Sequence, residues 1–117
     1  MSGFKSREWK FRIADILDSI EGIEDAVRGL SEAEFSKNRT VFRAVERELE
    51  IIGEASKHLP DTYTQTHKTI PWADIKGMRN ILAHEYSRID ARIIWQVVEK
   101  KLPELKKAIL PDDPRKN

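Results

Sequence analysis

Trp9-Lys10-Phe11-Arg12-Ile13-Ala14-Asp15-Ile16-Leu17-Asp18-Ser19-Ile20-Glu21-Gly22-Ile23-Glu24-Asp25-Ala26-Val27 is the stretch that decides the fold class of this chain. Wound at about 100° per residue, Trp9, Ile13, Ile16, Leu17, Ile20, Ile23 and Val27 fall on one arc. Charged side chains occupy much of the rest. This spacing predicts an amphipathic helix from about Phe4 to Val27. Gly29 is suited to stop it. Ser31-Glu32-Ala33-Glu34 then fits a capping box, so a short helical turn is expected next.

Working outward, the same period recurs. Val41, Val45, Ile52, Ala55 and Leu59 share a face, which predicts a second long helix from about Thr40 to Leu59. Glu48 falls inside that apolar arc, either as an edge carboxylate that reaches water or an Arg, or as one aimed into a cleft. Pro60 to Ile70 reads as a polar, Thr-rich loop. Pro71 suits the first position of a third helix, which carries Trp72, Ile75, Met78, Ile81 and Leu82 and ends near His84. Asp90 is an N-cap for the last helix, with Ile93, Ile94, Val97, Val98 and Leu102. Pro103 should kink or break it, with Glu104 to Leu110 continuing. The apolar arc of this last helix includes Trp95 and is broad enough to suggest burial on two sides, as at a dimer interface.

The sum is an all-α fold, an antiparallel bundle of about four to five helices. A single domain is expected over 1–110, with 111–117 as a flexible tail. The composition agrees. The chain has 117 residues, 39% hydrophobic and 35% charged, enough apolar content for a real core. Its 21 Lys plus Arg nearly balance 20 Asp plus Glu. A net charge of +1 gives no global reason to bind a polyanion, so any such binding must come from a local patch. Lys5, Arg7, Lys10 and Arg12 form one candidate, and Arg88 with Arg92 another; a solvated helix face is the ordinary reading of each. With no Cys there is no disulfide, thiolate metal site or Cys nucleophile. No apolar run is long enough for a membrane span and no signal peptide is evident, so a cytoplasmic protein is expected.

Chemistry concentrates in Gly77-Met78-Arg79-Asn80-Ile81-Leu82-Ala83-His84-Glu85-Tyr86. On a helical wheel, Ile75, Met78, Ile81 and Leu82 form the core-facing arc. Arg79, Ala83, Asn80 and His84 follow one another on the other side. Arg79 and His84 sit about 140° apart, flanking a notch floored by Ala83, with Asn80 one turn before His84. Arg offers a permanently charged fork of donors for phosphate. His titrates near neutrality and can move a proton. Together they could cleave RNA without a metal, and no acidic cluster has metal-ligand spacing. On spacing alone, a surface cation and a solvated histidine remain the ordinary alternative. His58 and His67 read as a helix C-terminal cation and a loop residue, and Trp72 and Trp95 as core or interface aromatics.

The pattern Arg79-x-x-x-x-His84-x-Tyr86 resembles the RxxxxHxY signature of HepT-like toxins of the HEPN superfamily. Ile51-Ile52-Gly53-Glu54-Ala55, Ile70-Pro71-Trp72 with Gly77-Met78-Arg79-Asn80, and Asp90 with Trp95 and Leu102-Pro103 resemble further blocks of that family. The resemblance covers roughly residues 8 to 110. Lys101 and Glu48 depart from the usual pattern, in which an acidic and a neutral or basic residue are common. The resemblance implies a HEPN bundle that forms a homodimer, with the Arg and His of both protomers lining one cleft. It implies a metal-independent ribonuclease with no cofactor, and a minimal nucleotidyltransferase as antitoxin partner. Carried over, Arg79 and His84 are catalytic, Asn80 is a positioning residue, and Tyr86 is the target of AMP transfer. A dimer would suit RNA, since two facing copies make a cleft with doubled positive charge where one helix is too shallow. The competing readings are a non-catalytic nucleotide-binding or docking subunit of the nucleotidyltransferase, and a purely structural helical dimer.

Overall fold

The computed structural model describes the backbone of residues 2–84 and 91–115, and side chains within 9–78 and 91–115. These residues form helices and connections, with no strand among them. The helices are α1 (Ser2–Val27), α2 (Glu32–Lys37), α3 (Arg39–Lys57), α4 (Asp61–Thr66), α5 (Trp72–His84), α6 (Ala91–Gln96) and α7 (Leu102–Ile109). A wide π turn, Val97–Lys101, joins α6 to α7, and a tight 3-10 turn, Leu110–Asp112, follows.

Helix α1 packs along α3, and α3 along α5. The apolar arc of α1 is what it buries: Ile13, Ile16, Leu17, Ile20 and Ile23 are fully enclosed. Each such side chain contributes about 1.5–3 kcal/mol relative to exposure, an upper figure because an unfolded chain is itself partly compact. From α3 the core takes Val45, Leu49, Ile52 and Ala55, and from α7 Leu102, Leu105 and Ile109.

The expected punctuation is present. Gly29 has φ +79°, a left-handed conformation that a residue without Cβ adopts freely after α1. The Ser31 hydroxyl accepts from the Glu34 amide at 3.1 Å, and the Glu34 carboxylate accepts from the Ser31 amide at 2.9 Å. Asn38 both ends α2 and caps α3, its side chain accepting from Val41 N at 3.0 Å. The broad apolar arc of the last helix is covered in part within the chain. Helix α2 brings Phe35 against Trp95 at 5.2 Å between ring centroids, while Ile93 on α6 stays exposed.

Two stretches differ from expectation. The Thr-rich segment read as a loop contains α4. Pro60 O accepts from Tyr63 N and Thr64 N, which starts the turn. Tyr63 is buried and holds it, packed against Trp9 at 5.0 Å and stacked on His67 at 4.3 Å. Tertiary burial of one aromatic thus outweighs a run of weak helix formers. At Pro103 the helical path continues. The distortion falls one turn earlier, where Leu102 N bonds to Val97 O in a wide turn. That local widening eases the clash between the proline ring and the preceding turn. Glu48 is half-buried with its carboxylate against Gly22 of α1, where a Cβ would collide with it. The expected cap Asp90 lies outside the described residues.

Candidate active site

The signature depends on how α5 is anchored. Ile70, Trp72 and Ile75 are buried. Trp72 N donates to Ile70 O at 2.8 Å, and Ile75 N to Pro71 O at 3.1 Å, so Pro71 stands at the entrance where its missing N–H costs nothing. The Trp72 indole N–H donates to His67 O at 3.0 Å, tying the helix start to the end of α4. From this anchor the backbone runs as α5 through positions 79, 80 and 84.

The side chains of Arg79, Asn80 and His84 lie outside the described residues, as does the whole of Tyr86. Backbone register still places their positions. Counting about 100° per residue, position 79 falls in angle between the buried Trp72 and Ile75. Positions 80 and 84 fall about 140° and 180° from Ile75. Positions 79 and 84 therefore lie on one helix whose first turn is anchored in the core.

Helix α3 carries carboxylates of different character. Glu46 is buried and accepts from Arg43 Nη1 at 2.8 Å. Glu54, of the Ile51-Ile52-Gly53-Glu54-Ala55 block, has one oxygen 3.3 Å from His58 Nε2 and its other oxygen shielded from solvent. Arg12 and Asp15 of α1 face Arg47, Glu50 and Glu54 of α3 across a notch of about 290 Å³. Its charges are mixed, two cations against three carboxylates. Among the described residues, no group of three or more His, Cys, Asp or Glu is placed to hold a metal ion.

Three groupings were not evident from sequence. His67 is no plain loop residue. It stacks on Tyr63, its Nδ1 lies 3.0 Å from Tyr63 O, and its Nε2 lies 3.4 Å from Asp112. The Tyr63 hydroxyl donates to Asp112, and its pKa is raised, by burial first and by that bond second. Arg115 bonds Asp18, Glu21 and Asp113, which holds the Glu21 carboxyl below its ordinary value. Lys37, Arg39 and Arg43 line a common pocket. Nothing in the sequence period marks these, because each joins residues from different elements.

An all-α bundle whose core-anchored helix α5 carries positions 79 and 84 of the motif Arg79-x-x-x-x-His84-x-Tyr86 defines a protein of the HEPN class. The profile of the family described as "Ribonuclease HepT-like" matches residues 16–110. The chain belongs to the HepT-like ribonuclease family. It is 44% identical over 94 residues to a putative RNase of Caldanaerobacter subterraneus subsp. tengcongensis, covering 80% of this chain and 84% of that one. It is 39% identical over 100 residues to a probable ribonuclease HepT of Thermococcus cleftensis, covering 86% and 91%. A putative RNase of Methanocaldococcus jannaschii is 35% identical over 103 residues, covering 88% and 94%. No solved structure matches the chain significantly. Among the described residues, no helix is long and apolar enough to cross a membrane.

Proposed function

We propose that this chain is the toxin of a type VII toxin–antitoxin system, a cytoplasmic, metal-independent endoribonuclease. The observation that carries the reading is the intact Arg79-x-x-x-x-His84-x-Tyr86 signature in a chain that belongs to the HepT-like ribonuclease family. In the reaction, the ribose 2′-hydroxyl attacks the adjacent phosphorus as a His84 imidazole takes its proton. The P–O5′ bond breaks, and the leaving oxygen gains a proton from the imidazolium of a second His84. The products are a 2′,3′-cyclic phosphate and a 5′-hydroxyl end. Arg79 balances the charge that builds on the phosphorane oxygens. Asn80 positions the substrate. A homodimer supplies two copies of the pair to one cleft, which meets the need for both a base and an acid.

The same reading gives Tyr86 a regulatory role. A nucleotidyltransferase antitoxin transfers AMP to its hydroxyl, releasing pyrophosphate from ATP. The adduct adds bulk and a negative phosphodiester two residues from His84, which blocks and repels RNA.

The test is cleavage of a single-stranded RNA by purified, unmodified protein without added metal. His84→Ala and Arg79→Ala each lower the rate by about 10²-fold or more, and Arg79→Lys does not restore it. A substrate with 2′-deoxyribose at the scissile position resists cleavage. Activity equal to that of His84→Ala overturns the nuclease reading.

A further inference from the structure

We infer that the pocket between the α2–α3 junction and the start of α6 is a subsite for the backbone of single-stranded RNA, with Lys37, Arg39 and Arg43 on phosphate and Phe42 against a base. The inference rests on the ribonuclease reading and extends it to a surface outside the Arg79–His84 pair. Ser36, Lys37, Arg39, Phe42, Arg43 and Ala91 line an open pocket of about 290 Å³.

Its charge is the first argument. The chain as a whole is nearly balanced, at 21 cations and 20 anions. This lining holds three cations and no carboxylate. The polar notch between α1 and α3 has the opposite balance and does not suit a polyanion. Arg43 is also pre-positioned. Its Nη1 donates to Glu46 at 2.8 Å, and the Glu46 side chain is only 11% exposed, so a fixed carboxylate holds the guanidinium by one of its five donors. Holding the planar fork in place lowers the entropy lost when it engages a phosphate.

The aromatic wall is the second argument. The Phe42 ring is half-buried and packs against Phe35 at 5.6 Å between centroids. Phe35 is fully buried beside Trp95, so Phe42 leans on a rigid support. A supported ring bordered by cations is the combination that recognises single strands, since every base offers a π face and every linkage a charge. Helical dsRNA would not present its bases to such a ring.

Location is the third argument. Asn38 ends α2 and caps α3, which sets Lys37 and Arg39 on either side of one turn. Ala91 closes the wall as the first residue of α6. The pocket thus adjoins the element that follows the signature directly in the chain.

Binding is measured by fluorescence anisotropy with a labelled single-stranded oligouridine RNA across a salt series. His84→Ala protein is used so that no RNA is cut. Replacing both exposed cations, Lys37→Ala with Arg39→Ala, weakens binding about tenfold and flattens the slope of log affinity against log salt by about 1.4. The exposed pair Lys57→Ala with Lys68→Ala, which removes equal charge elsewhere, changes affinity less than twofold. Phe42→Leu weakens binding several-fold and leaves the salt slope unchanged, as loss of stacking requires. Equal losses in the two charge variants, or none in the first, overturn the subsite, as does failure to bind RNA at all. Cleavage by the wild-type protein judges the ribonuclease reading separately: a chain that binds RNA through Lys37 and Arg39 and cuts none keeps the subsite and loses the nuclease.

Discussion

The Tyr63 hydroxyl donates a 2.8 Å hydrogen bond to Asp112 across a sequence separation of 49 residues. It links α4 to the turn that follows α7, two elements with no neighbours in common along the chain. Tyr63→Phe keeps the ring that packs on Trp9 and His67 and removes only this bond. Because the Asp112 side chain is 34% exposed, water compensates in part, and the expected loss is about 1 kcal/mol. Thermal unfolding should register a drop of about 4 °C. A Tm unchanged within error would mean the bond contributes nothing net.

The same hydroxyl has a pH signature. In the folded state the Tyr63 pKa is raised, by burial first and by the bond to Asp112 second, so folded protein holds this proton to higher pH than unfolded chain does. The contribution is fully present below the ordinary tyrosine value near pH 10 and is lost as pH rises through the folded value. The stability gap between wild type and Tyr63→Phe should be flat from pH 7 to 9 and narrow above pH 10. A gap that widens in alkali would reverse the sign and refute the assignment.

Arg115 predicts the opposite pH dependence. It bonds Asp18 at 2.6 Å, Glu21 at 2.8 Å and Asp113 at 2.9 Å, closing the end of the chain onto α1. Asp18 and Glu21 are exposed enough that water and salt screen those pairs, whereas the Asp113 side chain is 1% exposed. Arg115→Ala should therefore cost about 1–2 kcal/mol at pH 7, mostly through Asp113. The Glu21 carboxyl is lowered, chiefly by its hydrogen bond to Arg115. Stability from that pair is present above the ordinary carboxylate value and is lost as pH falls through the lowered folded value. In denaturant titrations of both proteins from pH 7 to 3, the gap should narrow at the acid end by the Glu21 share.

Gly22 and Glu48 form a coupled pair between α1 and α3. A Cβ at position 22 would collide with the Glu48 carboxylate, the far end of a flexible side chain. Alanine for glycine inside a helix should by itself gain about 1 kcal/mol. Gly22→Ala alone should forfeit that gain in displacing Glu48. In a Glu48→Ala background the same change should stabilise by about 1 kcal/mol. A double-mutant cycle with no coupling would show that the carboxylate moves aside freely.

These relationships also show what the sequence could and could not disclose. The long helices were legible because buried Ile and Leu repeat with a helical period over many turns, as from Ile13 to Ile23. The cap at Ser31 and the stop at Gly29 were legible because each acts through its own backbone. Helix α4 was not, since its signal is a single buried aromatic, Tyr63, among threonines. The wide turn at Val97–Lys101 left no pattern beyond Pro103 itself. The basic pocket escaped notice because Lys37 lies on α2 and Arg39 and Arg43 on α3, and only the fold sets them around one opening with Ala91 of α6. The signature at Arg79 and His84 was legible as a motif, and its backbone lies on α5 as its period required. Tyr86 lies outside the described residues.

Tyr86 carries the prediction that ties this chain to a partner. If, as proposed, a nucleotidyltransferase modifies this chain, protein co-produced with that enzyme should gain one or more AMP units in an intact-mass spectrum. Protein produced alone should not. Tyr86→Phe removes the acceptor hydroxyl and should abolish the gain while leaving RNA cleavage in place, since the ring retains its size. Treated wild type should lose cleavage in proportion to the modified fraction, because a phosphodiester two residues from His84 repels the RNA backbone. AMP units that persist in Tyr86→Phe would move the acceptor elsewhere. An unshifted mass alongside full inhibition would instead make the proposed nucleotidyltransferase a steric partner, acting by complex formation.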